Sequence, residues 1–312
     1  MNEYDIKIKN NKSFTSKSIA YLKLFSRDIT GLIGLIIVGF FLIWTLVQGI
    51  LEWLSGVLST PSLAYILLPS NPFQINPFMA LHKPIPDKLA YIFGTNNLGE
   101  SILSRILYAM PRDGLVSTVV VLSAISIGAI TGIISGYHGK LLNEGIMRLT
   151  DVFLALPALV LIILISVILH ASFFGALLGL MVVWWPIYTR FFRAETIKIK
   201  NLDFMKAAEL NRISKTKLFF KYLFLNDIDP VIAYAALDFG NVILTYSTLA
   251  FLGIGLTPPI PELGSMASNG AGALPTAWWW AIFPGVAILV IVIGFVFVGD
   301  RLQDMISNRI NY

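Results

Sequence analysis

No cysteine occurs in the 312 residues, which excludes disulfides and thiolate-bound metals. Histidine is nearly as scarce. His82, His138 and His170 fall on three separate segments, a spacing that does not build a metal site within one chain. Charged residues make up only 13% of the sequence. No G-x-x-x-x-G-K-[ST] motif is present; GYHGKL, starting at Gly136, lacks both its spacing and its magnesium-binding hydroxyl. No Ser/His/Asp set or paired carboxylate shares one predicted element, so no catalytic residue and no metal ligand is assigned. The first 28 residues are polar and basic, without the apolar core and small-residue site of a removable leader, and the first apolar run is therefore expected to stay as an anchor. The formal charge of +5 lacks the soluble basic surface with interleaved aromatics that nucleic-acid binding requires. Internal repeats and low-complexity tracts are also missing.

What the chain has is apolar residue in blocks. Hydrophobic residues reach 56%, and the mean hydropathy is +0.76. A helix needs roughly 20 apolar residues to cross the hydrocarbon. GLIGLIIVGFFLIWTLVQGIL, between Asp28 and Glu52, is one such run. LVSTVVVLSAISIGAITGIISGY, Leu115 to Tyr137, is a second, and its small residues suit close helix packing. From Asp151 to Arg190 no acid or base intervenes except His170, which reads as two spans joined by a tight turn at His170-Ala171-Ser172. Val231 to Leu252 makes the fifth, interrupted by Asp238, and Trp280 to Val298 the sixth, with Trp278, Trp279 and Trp280 as an interfacial anchor. The sequence thus predicts an all-α polytopic membrane protein with six transmembrane helices.

Lysine and arginine orient those spans. They concentrate before the first (Lys7, Lys9, Lys12, Lys17, Lys23, Arg27) and between the fourth and fifth, whereas the loop from Ile254 to Ala277 has none. The positive-inside rule then puts both termini in the cytoplasm. The expected organisation is a cytoplasmic segment over 1–28, a first transmembrane helix over 29–54, an ordered extracytoplasmic loop over 55–113, and a five-helix core over 114–312. The core includes a cytoplasmic segment, 201–227.

That segment contains FMKAAELNRISKTKLFFKYLFLND, starting at Phe204. Asp203 is placed to cap a short helix and Ser214 a second, with Asn211 ending the first in a left-handed conformation. Ala207 and Ala208 on the first rod, and Leu218, Phe219 and Phe220 on the second, form a surface suited to a partner's groove.

At this point the sequence resembles the permease subunit of a binding-protein-dependent ABC importer of the dipeptide/oligopeptide/nickel family, the second of its two paired permeases. Ala207 and Ala208 match the alanines of the family's E-A-A-x-x-x-G loop and Asn226 its terminal asparagine, whereas Lys206, Arg212, Tyr222 and Leu225 depart from it. FGTNNLGESILSRILYAMPRDG, GYHGKLLNEGIMRLTDVFLALP, FLGIGLTPPIPELGSM and FPGVAILVIVIGFVFVGDRLQD resemble four further family blocks in collinear order. The resemblance implies the type I ABC importer permease fold and an import function for peptides, with oligosaccharides or nickel as alternatives. It implies as partners a homologous second permease, two ABC ATPase subunits holding ATP and Mg, an extracytoplasmic solute-binding protein and the lipid bilayer of a prokaryotic cytoplasmic membrane. No cofactor is expected on this chain and no nucleic acid. The expected ATPase-coupling residues are Phe204, Met205, Lys206, Ala207, Ala208, Asn211, Arg212, Leu218 and Phe219. Asp238, Asn241 and Tyr246 are the translocation-pathway candidates, Asp238 standing equally well as a structural hydrogen-bond partner. A gradient-driven secondary transporter is the alternative of a different class, and only Asp238 hints at it.

Overall fold

The structure is a computed structural model that describes residues 28–310, apart from 139, 212, 215 and 216. The basic segment before Asp28 and Arg212 of the cytoplasmic stretch lie outside the described residues. No β-strand forms among the described residues; two isolated bridges, Thr95 with Ser101 and Ser172 with Gly255, fasten loops.

Helix α1, Ile29–Val57, begins where Asp28 accepts from Thr30 N at 3.4 Å and Thr30 Oγ1 at 2.9 Å, which satisfies a free backbone donor of the first turn. Ile36, Ile43, Leu46 and Trp53 point outward, the pattern of a helix solvated by lipid. Helix α2, Ile102–Tyr137, starts 13 residues before the apolar run that announced it, inside the stretch read as loop. Ser101 caps it by accepting from Ser104 N at 3.2 Å. The charges in its first turns are paired, Arg105 with Glu100 at 2.6 Å and Arg112 with Glu52 of α1 at 2.9 Å.

The segment between α1 and α2 is ordered by its own turns and by the helices beneath it. Three short 3-10 turns, Pro61–Tyr65, Pro77–Met79 and Leu89–Tyr91, alternate with extended chain. The buried Gln48 of α1 donates to Ala64 O at 2.8 Å, and Arg105 donates to Pro72 O at 3.0 Å and Pro259 O at 3.1 Å.

The apolar stretch from Asp151 onward does turn where expected, with His170 and Ala171 at φ of 65° and 49°. Its first half is not a straight span. Helix α3, Lys140–Ala155, and helix α4, Ala158–Ile168, meet at a bend of 88° around Pro157, because proline has no N–H to continue the ladder and its ring clashes with the preceding turn. Helix α5, Phe173–Lys200, then runs back against α2.

The α2–α5 contact is the most extensive between helices of the described fold. Gly128, Gly132 and Gly136 of α2 face Tyr188, Thr189, Phe192 and Thr196 of α5 with no space for a Cβ, and Thr131 and Thr189 share a hydroxyl hydrogen bond of 2.7 Å between the helices. Buried Val120, Val121, Ala124, Tyr188 and Phe192 continue this core.

After α5 come the short helix α6, Asp203–Leu210, a π-helical segment Leu218–Phe224, and α7, Leu225–Phe251. Helices α8, Leu263–Ala271, and α9, Leu274–Ile310, close the chain, α9 being kinked at Ala277. Phe93 stacks on Phe283 of α9 at 4.2 Å and Trp279 Nε1 donates to Thr95 O at 3.1 Å, fixing the outer segment to α9.

Among the described residues four helices, α1, α2, α5 and α9, are long and apolar enough to cross a membrane, and the bent α3–α4 pair makes a fifth candidate. Helix α7 has the length, 27 residues, but Asp238, Asn241 and a run of hydroxyl residues dilute its apolar character. It sits among α2, α5, α8 and α9, where packing against protein replaces lipid.

Candidate functional site

Two regions carry the residues singled out by the sequence. The first follows α5 directly: only Asn201 and Leu202 separate its last residue from α6. Met205 is fully buried and Ala208 is 4% exposed, both turned toward the helices. Phe204 (43% exposed), Lys206, Ala207, Leu210 (84% exposed) and Asn211 form the outward surface. The Lys206–Asp203 ion pair, 3.3 Å, is exposed and contributes little.

Asn211 ends α6 differently from the expected left-handed turn. Positive φ among the described non-glycine residues is confined to Ser59, Leu81, His170 and Ala171, and Asn211 instead donates from Nδ2 at 2.8 Å to Ala207 O, the same carbonyl that accepts from its backbone N at 3.1 Å.

The second rod is not separate. The π-helical segment Leu218–Phe224 passes without interruption into α7, so it is that helix's N-terminal extension. Leu218 is buried and Phe219 half-buried against Ile133, Tyr137 and Leu223; Phe220 is the exposed ring. Phe204 and Tyr222 stack across the two elements with centroids 6.5 Å apart. The outward apolar surface is therefore Phe204, Ala207, Leu210 and Phe220. Ala208, Met205 and Leu218 serve the packing underneath.

The second region is α7. Asp238 is buried between α7 and α5, and its carboxylate accepts from Trp184 Nε1 at 2.9 Å and Asn241 Nδ2 at 3.4 Å. Tyr188 and Tyr234, with ring centroids 5.6 Å apart, pack in the same seam. Trp184 supplies the hydrogen bond that a carboxylate at this depth requires. Asn241 is exposed, and Thr245 and Thr248 continue its face along the helix.

Tyr246, by contrast, is fully buried and donates its hydroxyl to Glu262 Oε1 in the turn before α8. Glu262 is itself buried, and that burial raises its carboxyl above the ordinary range, with the Tyr246 hydrogen bond acting in the opposite direction. This tie between α7 and the outer turn escaped the sequence reading, because the two residues face each other only after the chain reverses at Gly253, whose φ is +84°. Arg105, Glu262, Ser265 and Asn269 line a cleft of about 230 Å³ beside it.

His82, His138 and His170 remain apart, and among the described residues no group of three acidic, histidine or cysteine side chains could hold a metal ion. The arrangement presents an exposed apolar surface at the end of a tightly packed helix pair and a polar seam within a helix bundle.

Known proteins share this sequence over most of its length. Residues 128–312 match the family described as binding-protein-dependent transport system inner membrane component. A probable D,D-dipeptide transport system permease protein of Escherichia coli, DdpC, is 32% identical over 261 residues, covering 81% of this chain and 88% of the relative. The dipeptide transport system permease proteins DppC of Haemophilus influenzae and Alkalihalophilus pseudofirmus are 37% and 33% identical, covering 71% and 79% of this chain and 75% and 80% of the relatives. With its helical spans, its type I importer permease fold and this likeness, the chain belongs to the inner membrane components of binding-protein-dependent transport systems.

Proposed function

We propose that the chain is a pore-forming permease subunit that imports peptides across the cytoplasmic membrane of a prokaryote, pairing with a homologous second permease. Two ABC ATPase subunits that hold ATP and Mg²⁺ drive it from inside, and a solute-binding protein delivers substrate from outside. Peptides are favoured over oligosaccharides and nickel because the matched relatives are named as dipeptide permeases. In this reading α7 completes six crossings, both termini are cytoplasmic, and Asn241 faces the translocation path, since an exposed amide is costly against lipid.

The observation that carries the reading is the placement of α6. Its outward face, Phe204, Ala207 and Leu210, offers apolar and small side chains to a groove, and only two residues separate it from α5. Displacement of α6 by an ATPase subunit therefore moves α5, and the glycine seam carries α2 along. Nucleotide-driven closure of the ATPases thus rocks a helix pair and changes access to the pore.

Ala207→Asp is the direct test, because Ala207 is exposed and its substitution leaves the fold intact; Ala208 is unsuitable, since an aspartate there would be buried. The variant is expected to insert and assemble but to lose substrate-stimulated ATP hydrolysis in the reconstituted complex. Normal stimulation would remove α6 from the coupling path.

A further inference from the structure

The outer segment between α1 and α2 carries several large apolar side chains on its surface. Phe78 is 97% exposed and Ile75 60%, and Leu81 and Leu98 are exposed beside them. An aromatic ring that touches almost nothing within its own chain is a contact awaiting a surface.

The backbone beneath this knob is firmly held. Asn76 N donates to Leu98 O at 3.0 Å, Leu81 N to Asn96 O at 2.9 Å, and His82 N to Thr95 Oγ1 at 2.9 Å, while the Thr95 hydroxyl donates to Met79 O. Gly99, at φ +75°, lets the chain pass directly against the Asn76 carbonyl, where a Cβ has no space. Phe78 is thus carried on a preformed turn and loses little freedom on contact.

Two further features say what covers it. Lys83 and Lys88 stand exposed in the same segment with Asp87 between them, so its exposed charge is net positive. The frame is also joined to the aromatic anchor of α9: a Cβ on Gly94 would lie 2.7 Å from His82 O and 2.8 Å from Trp279 Cδ1, and the exposed Trp278 is the next residue. Aromatic rings flanked by lysines are the chemistry of the headgroup zone of a bilayer, where anionic phosphates attract the cations and the rings enter the acyl boundary.

We propose that Ile75, Phe78, Leu81 and Leu98 form a rigid knob seated in the outer leaflet, with Lys83 and Lys88 on anionic phospholipid headgroups. The outer segment is then a membrane-bound collar beside α9. The inference takes its side of the membrane from the topology proposed above.

Because the chain has no native cysteine, single-cysteine labelling tests it directly. The full chain carrying Phe78→Cys, or in parallel Asp87→Cys at an exposed position off the knob, is inserted into vesicles of phosphatidylethanolamine and phosphatidylglycerol and treated with a membrane-impermeant maleimide. Phe78→Cys is expected to react about tenfold more slowly than Asp87→Cys, in keeping with the partition of an apolar side chain out of water, and a nitroxide at 78 to collide more with oxygen than with a water-soluble nickel chelate. Equal rates at the two positions overturn the lipid contact and leave the topology intact. Asp87→Cys reacting only from the cytoplasmic side overturns both. Protection of position 78 that arises only on adding a soluble extracytoplasmic protein assigns the knob to that protein and overturns the lipid proposal.

Discussion

Gly132→Ala tests whether α2 and α5 act as one body. The added Cβ would lie 2.5 Å from Thr189 O, 2.7 Å from Phe192 Cβ and 3.0 Å from Arg193 N, against about 3.5–4.0 Å for an ordinary contact. Those neighbours are backbone atoms and a Cβ, which cannot swing aside, so the two axes must separate by roughly 1 Å. Separation stretches the Thr131–Thr189 bond, 2.7 Å, beyond useful length. Overpacking costs about 1–3 kcal/mol, the interhelical hydroxyl bond adds about 0.6 kcal/mol, and the better helix propensity of alanine offsets roughly 1 kcal/mol. The net loss is about 0.6–2.6 kcal/mol. Gly39 of α1 is the matched control, because no atom lies within 4 Å of its Cβ position. The assay is the midpoint of unfolding as sodium dodecyl sulfate is titrated into the detergent-purified chain, followed by near-ultraviolet circular dichroism. Gly132→Ala is expected to lower the midpoint and Gly39→Ala to leave it unchanged or raise it. A Gly132→Ala midpoint equal to that of the Gly39 variant would refute the close-packed seam.

Two other variants probe the polar contacts. Trp184→Phe combined with Asp238→Asn should show a coupling of about 0.5–2 kcal/mol in a double-mutant cycle of unfolding midpoints; strict additivity would mean that the indole–carboxylate bond contributes nothing. Burial raises the Glu262 carboxyl above its unfolded value, so the folded chain holds this proton more tightly. The sign is therefore that Glu262 supports the fold fully below about pH 4.3 and progressively less as pH rises from there through its folded value. Glu262→Gln should flatten that part of the stability profile, measured by the same titration over a pH series. An unchanged slope would locate the dependence elsewhere.

Four of the expected spans, α1, α2, α5 and α9, were legible because lipid solvation demands uninterrupted apolar runs, and such runs survive in sequence without any knowledge of contacts. The reversal at His170-Ala171-Ser172 was legible because the run exceeded one crossing. The elbow at Pro157 was not: the residues on both sides are equally apolar, so composition carries no record of direction, although the proline itself was the available signal. The start of α2 at Ile102 was hidden because Arg105, Arg112 and Asp113 resemble loop residues until Glu100 and Glu52 are seen beside the arginines. In the cytoplasmic stretch, local capping signals located α6 but could not show which face turns inward, so Met205 and Ala208 were read together with Ala207. Of Leu218, Phe219 and Phe220, which the sequence placed on one surface, only Phe220 turns outward, in a segment wound as a π-helix rather than an α-helix. The Tyr246–Glu262 bond belongs to tertiary structure alone.

The right-angle joint between α3 and α4 has a mechanical corollary. Eleven residues of α4 extend about 16 Å, roughly half the oily thickness of a bilayer, so no straight rod traverses the full depth on this flank. Around that corner α3 returns to α5, where Asp151 and Asn143 accept from Arg190 at 2.5 Å and Arg193 at 2.6 Å, so a lean of α5 draws α3 with it. On this flank the molecule has the geometry of a bracket: two arms set at right angles and both fastened to one post.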